Sequence, residues 1–209
     1  LLPFTVEQFF GVFARYNAAV WPAPIVAYVL GIAAVVAALS VSRAGNYVAA
    51  AALALFWAWT GVAYHWLAFA VINQAAWLFG ALYIIEAMLL LWFGRQLCFG
   101  YRRGLNGIVG LLLIVYAAII YPVLGYAAGH SYPATPMFGV TPCPVTIFTL
   151  GLFLLARRPP WVLLIVPVLW SLVGGTAAFL LHVPQDWLLL VSGPLVVILL
   201  WRVRAGAAD

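Results

Sequence analysis

Residues 75–97 read AAWLFGALYIIEAMLLLWFGRQL, 23 positions in which one acidic side chain, Glu86, stands before Arg95. A helix rises about 1.5 Å per residue, so about 20 apolar residues cover the roughly 30 Å hydrocarbon core of a bilayer. This segment is long enough to do so. Six further apolar runs lie at 21–40, 47–70, 105–128, 142–156, 160–181 and 185–203. The 209-residue chain is 68% hydrophobic and 6% charged, and its mean hydropathy is +1.17. A soluble domain carries about 25% charged residues. The apolar excess must face lipid, which excludes a soluble enzyme. The expected fold is an all-α integral membrane protein, one helical-bundle domain over 1–209 with seven transmembrane helices between 21 and 203. The run at 142–156 is the shortest, and Pro142 and Pro144 stand at its entrance, where a missing N–H costs no helical bond. Pro22 and Pro24 open the first run in the same way.

The basic residues are nine arginines and no lysine, against Glu7, Glu86, Asp186 and Asp209. With seven crossings, Arg43, Arg95, Arg102, Arg103, Arg157, Arg158, Arg202 and Arg204 all fall on one face, and only Arg15 on the other. Arginine-rich connections stay in the cytoplasm. The expected arrangement therefore has the N-terminus outside and the C-terminus cytoplasmic. The arginines sit in small groups between apolar runs, a pattern that suits anionic lipid headgroups and not nucleic acid. Ahead of the first run, residues 5–17 mix Phe9, Phe10 and Phe13 with Glu7, Gln8 and Arg15, as in a short interfacial helix. Thr5 and Gln8 are spaced for a capping box. A lid over an outer cavity is the sharper reading of the same helix. Trp21, Tyr47, Trp66, Trp77, Tyr101, Trp161 and Trp187 lie near run ends, as an interfacial aromatic belt requires. The start, LLPFTVEQFF, lacks the basic segment of a cleaved leader.

On this topology His65, His130 and His182 all lie toward the outer face, with Asp186, Cys143 and Glu7. Imidazole, thiolate and carboxylate are the ligands of zinc and copper. His65, His130, His182, Cys143 and Asp186 are thus the candidate metal ligands, though no spacing among them preorganises a pair. Cys143, Thr146 and Thr149 share a helical face, at a helix start whose partial positive charge favours a thiolate or an anion. The alternative is that the threonine hydroxyls bond back to their own helix. Cys98 falls on the other side of the membrane, so a disulfide with Cys143 is not expected. Glu86, about eleven residues into its run, stands near mid-membrane, where an ionised and unpaired carboxylate is costly. Glu86 and Tyr83, with Thr60 and Tyr64 from the second run, Ser171 from the sixth and Thr146 and Thr149 from the fifth, form the candidate path for a solute or proton. The 129–144 link, GHSYPATPMFGVTPCP, has no charge and is rich in proline, which favours one ordered course, as a surface cap or a segment dipping into the bundle.

No lysine is present to bind retinal, and the HExxH, Walker, GxGxxG and GxSxG patterns are absent. Three functions stay open: translocation of a small solute, ion or proton; an outer-face metal-dependent enzyme or metal-binding redox protein; and a structural accessory subunit of a membrane complex.

The strings LLPFTVEQFFGVFARYN, AYHWLAFAVIN, FGVTPCPVTIFT and HVPQDW are similar to those of a family of uncharacterised bacterial integral membrane proteins, a domain of unknown function. The resemblance spans residues 1 to about 195, and its most specific piece is TPCPVTIFT at 141–149. It implies bacterial origin and residence in the inner membrane, and it assigns no catalytic role to any residue.

Overall fold

The computed structural model describes residues 3–102 and 104–205. Arg103 and Asp209, which entered the charge reading, lie outside the described residues, as does the side chain of Arg95. The fold is all-α. Helix α1 (Val6–Ala19) is followed by α2 (Ala23–Leu39), and α3 (Arg43–Trp59) continues as a π-helical stretch, Thr60–Trp66. Then come α4 (Ala76–Phe93), α5 (Leu105–Val115), a second π-helical stretch (Tyr116–Ile120) and α6 (Tyr121–Ala127). Helices α7 (Pro142–Leu155), α8 (Val162–Leu180) and α9 (Trp187–Ala205) complete the bundle.

Each of the seven apolar runs folds as a helix. Five helical stretches are long and apolar enough to cross a membrane: Arg43–Val71, Ala76–Phe93, Leu105–Ala127, Val162–Leu180 and Pro184–Ala205. A sixth is obtained if α1 and α2, bent by 85° at their junction, count as one. The first and fifth runs give helices of 17 and 14 residues, shorter than the sequence reading of seven full spans requires.

The short α7 is the centre of the molecule. Every residue from Pro142 to Leu155 is buried, and α7 packs against α2, α3, α5, α8 and α9. A helix apolar on all sides is one enclosed on all sides, and here protein encloses it. Two polar links fix it laterally. Trp57 Nε1 donates to Thr149 Oγ1 at 2.9 Å, and the Tyr83 hydroxyl pairs with Thr146 Oγ1 at 3.2 Å. Against α5 the backbones nearly touch: a Cβ on Gly110 would lie 2.8 Å from the Gly151 carbonyl oxygen, and one on Gly151 would lie 2.8 Å from that of Gly110. Small residues permit this approach between membrane helices.

The capping box of α1 forms as its sequence implies. Thr5 Oγ1 accepts from the Gln8 N–H, and Gln8 Oε1 accepts from the Thr5 N–H. Its inner face, Val12, Phe13, Tyr16 and Asn17, is buried against the protein. The 129–144 link dips into the bundle. Phe138 inserts between Tyr28, Phe56 and Phe148. Tyr16 donates to the Val140 carbonyl, and Asn17 Nδ2 donates to the carbonyls of Pro133 and Thr135. Helix α1 thereby satisfies backbone acceptors that lipid cannot.

Candidate functional site

At the end of the bundle where α7 begins there is a cavity of about 520 Å³. Helix α1 and the residues before it contribute Phe4, Phe9 and Phe13; the π-helical stretch after α3 and the turn beyond it contribute Tyr64 and Phe69. Another wall is α8 from Trp170 to Leu180, with Leu181 just beyond its end. Phe13, Tyr64 and Phe69 form a run of stacked rings with centroids 5.4 and 5.7 Å apart. Leu172, Val173 and Leu180 line the cavity and are also exposed. They lie on the second half of a membrane-length helix, so the cavity reaches the outer surface of α8.

Polar side chains in the lining are few: Asn73, Cys143, Thr176 and Asp186, besides the aromatic Tyr64 and Trp170. Cys143, in the first turn of α7, and Asp186, just ahead of α9, both face the cavity and lie beside one another. The Tyr121 hydroxyl donates to Asp186 Oδ1 at 2.5 Å, and the Tyr116 hydroxyl donates to the Gln185 carbonyl at 2.7 Å. Tyr116 and Tyr121 are five residues apart, a separation that points to different sides of an ordinary α-helix. The π-helical stretch between them, with its i→i+5 bonding, lets both meet the 185–186 segment. Neither tyrosine stands out in the sequence, because the register change that makes them neighbours leaves no mark in a 3.6-residue pattern.

The three imidazoles take separate positions. His65 is fully buried among Tyr83, Trp170 and Phe79, at centroid distances of 4.7, 5.0 and 5.9 Å, and neither ring nitrogen has a hydrogen-bond partner among the described residues. His130 stacks on Phe10 at 4.0 Å, and this partial burial pushes its pKa down. His182 is exposed beyond α8. Among the described residues, no three of His, Cys, Asp and Glu form a group able to hold a metal ion. Of the five candidate ligands, Cys143 and Asp186 are the two that face one another.

The candidate solute path divides likewise. Tyr64 lines the cavity. Tyr83, Thr146 and Thr149 are engaged in holding α7, and both threonine hydroxyls also bond back to carbonyls one turn earlier, at 2.9 and 2.8 Å. Ser171 donates to the Val168 carbonyl at 2.8 Å where α8 meets Gly193 of α9. Thr60 and Glu86 are fully buried with no hydrogen-bond partner among the described residues for the Thr60 hydroxyl or either Glu86 oxygen, and neither lines the cavity. Trp170 and Tyr121 complete the surroundings of Cys143 and Asp186 and were not among the residues singled out from sequence.

Several membrane-length helices, a core helix sheathed by them and a lateral aromatic cavity define a multispanning α-helical membrane protein. Residues 6–208 match the model of a family of unknown function, DUF6064, and the chain belongs to that family. No curated protein and no solved structure matches it.

Proposed function

We propose that the protein takes a small, mostly apolar molecule into the cavity beneath α1 and moves it across or along the membrane. The observation that carries this reading is the lining: aromatic and aliphatic walls around 520 Å³, with Cys143 and Asp186 as the polar pole. Ligand sites of about 300–1,000 Å³ combine such walls with a few placed polar groups. The mouth on α8 suits a molecule arriving from hydrocarbon. Glu86 lies outside the lining, so passage of protons through it draws less support. The contact between Cys143 and Asp186 favours a second reading, in which the bound molecule is also modified there; zinc or copper chemistry at the thiol belongs to that alternative. An accessory subunit has no specific observation in its favour.

The experiment is photo-crosslinking with a membrane-dissolved aliphatic alcohol bearing a diazirine. Insertion is expected at Tyr64, Cys143 or Trp170, and Ala177→Trp, which fills the cavity from α8, is expected to cut it at least fivefold. Labelling confined to outward residues such as Leu169, unchanged in that variant, would sink the proposal.

The same reading includes seven crossings of a bacterial inner membrane, with the N-terminus outside. Its support is that the α4–α5 link, the α7–α8 link and the end of α9 bring arginines to one end of the bundle, while the cavity lies at the other end of α7. Enclosed by protein, α7 need not match the bilayer thickness, and the short α2 continues from α1. Cys98 is exposed at the arginine end and Cys143 is buried. A membrane-impermeant maleimide is expected to label Cys98 in inside-out vesicles and not in intact cells; the reverse pattern would invert the topology.

A further inference from the structure

The end of the bundle away from the cavity carries a second hollow, of about 440 Å³, lined by Gln96, Cys98, Arg102, Arg157, Arg158 and Val203. Two connections distant in sequence are tied together to make it. Phe99 and Ala156 form an antiparallel bridge, flanked by Gly100 N–H to the Leu155 carbonyl at 3.2 Å and Arg157 N–H to the Cys98 carbonyl at 3.0 Å. Asn46 Oδ1 accepts from the Phe99 N–H at 2.9 Å and anchors the pair to α3. Arg102 is held in turn: its Nη1 donates to the carbonyls of Ala156 and Arg157 at 3.2 and 3.4 Å. A Cβ on Gly107 would collide with the Arg102 carbonyl oxygen, so glycine there lets the loop lie on the first turn of α5.

The result is three guanidinium groups around one hollow with no acid among its described lining residues. Arg204 adds a fourth charge beside Arg158, with its guanidinium over the Trp161 ring at 4.3 Å and Nη2 donating to the Pro159 carbonyl. Like charges held together by backbone bonds repel unless an anion lies between them, and guanidinium groups match phosphate oxygens in geometry as well as charge. Trp92, Tyr101, Trp161 and Trp201 are exposed around this end. Such a girdle marks the headgroup level of a bilayer.

We propose that this arginine-lined hollow is a binding site for a phosphate anion, and its depth in the girdle favours the headgroup phosphate of an anionic phospholipid. The site is separate from the cavity and stands whether or not the translocation reading does. It differs from a diffuse basic surface in requiring particular arginines.

The test uses the full chain purified in detergent, with bound lipid counted by native mass spectrometry. Dioleoyl phosphatidylglycerol, dioleoyl phosphatidylcholine and inorganic phosphate are added separately. Phosphatidylglycerol is expected to be retained and phosphatidylcholine not. Arg157 and Arg158 are exposed, so Arg157→Gln with Arg158→Gln leaves the fold intact. That pair is expected to weaken phosphatidylglycerol binding about tenfold or more, taking roughly a factor of five per charge near a membrane surface. Arg43→Gln, an exposed arginine outside the hollow, is expected to change nothing. Displacement of the lipid by millimolar inorganic phosphate would assign the same site to a soluble phosphate. Equal retention of the two lipids with phosphate inert, or an Arg43→Gln loss as large as that of the pair, overturns the proposal.

Discussion

Gly151→Leu is expected to abolish the folded bundle in detergent, seen as loss of the cooperative thermal transition. The cause is geometric. Position 151 lies on the wholly buried α7, and even a Cβ there would stand 2.9 Å from Ile114 Cγ1, 3.1 Å from the Ile114 nitrogen and 2.8 Å from the Gly110 carbonyl oxygen. Two of these three atoms are backbone and cannot swing aside, so α5 must retreat. That motion would strip packing from the helix that also touches α2, α3, α8 and α9. Extra methylenes in a tight core cost about 1–3 kcal/mol where side chains can adjust; here a leucine exceeds that range. Gly151→Ala should fall within it. Gly11→Ala provides the opposite sign, because nothing lies within 4 Å of a Cβ at Gly11. With no clash, the gain in helix propensity of about 1 kcal/mol applies. Equal midpoints for Gly151→Ala and Gly11→Ala would show that the α5–α7 approach does not limit stability.

The placement of helices was legible because it depends on long apolar runs, and these follow from composition alone. Thus 75–97 contains α4, and 160–181 contains α8. The capping box at Thr5 and Gln8 was legible too, since its spacing is local. What hydropathy does not encode is whether an apolar side chain faces lipid or protein. The run at 142–156 therefore reads as one more span, the shortest of the seven, although its helix is the core. The polar sites show the same division. Asp186 and Cys143 were identifiable as chemical types near one end, and they do meet. His65, His130 and His182 share that end in sequence, but His65 and His130 pack on separate aromatic rings and His182 is exposed. Tyr121 is not legible as a partner of Asp186, because its approach depends on the π-helical stretch before it. In sequence Arg102 and Arg157 mark topology and suit anionic headgroups in general, but their meeting at one hollow is not legible, since the Phe99–Ala156 bridge that unites their loops joins residues with no local pattern.

The largest effect on ligand choice is expected at Asp186. Its buried carboxyl accepts from the Tyr121 hydroxyl, lies beside the Cys143 thiol and faces a mostly apolar cavity whose other polar side chains include Asn73 and Thr176. Asp186→Ala removes the acceptor and leaves the Tyr121 hydroxyl without its partner, a cost of about 1–3 kcal/mol for an orphaned buried donor. Asp186→Asn keeps an acceptor oxygen in nearly the same volume and should cost less. If the cavity holds an amphiphile by its polar end, the two variants should also differ in selectivity. Labelling by the diazirine-bearing alcohol should fall in Asp186→Ala, while labelling by the corresponding hydrocarbon should hold or rise, because the wall becomes more apolar. A site built to hydrogen-bond a substrate group discriminates strongly against the analogue lacking it, so the ratio of alcohol to hydrocarbon labelling should drop about tenfold or more. Asp186→Asn should retain much of the preference. Parallel losses for both probes, tracking the fall in thermal midpoint, would assign Asp186 to holding α9 against α6 and remove it from ligand recognition.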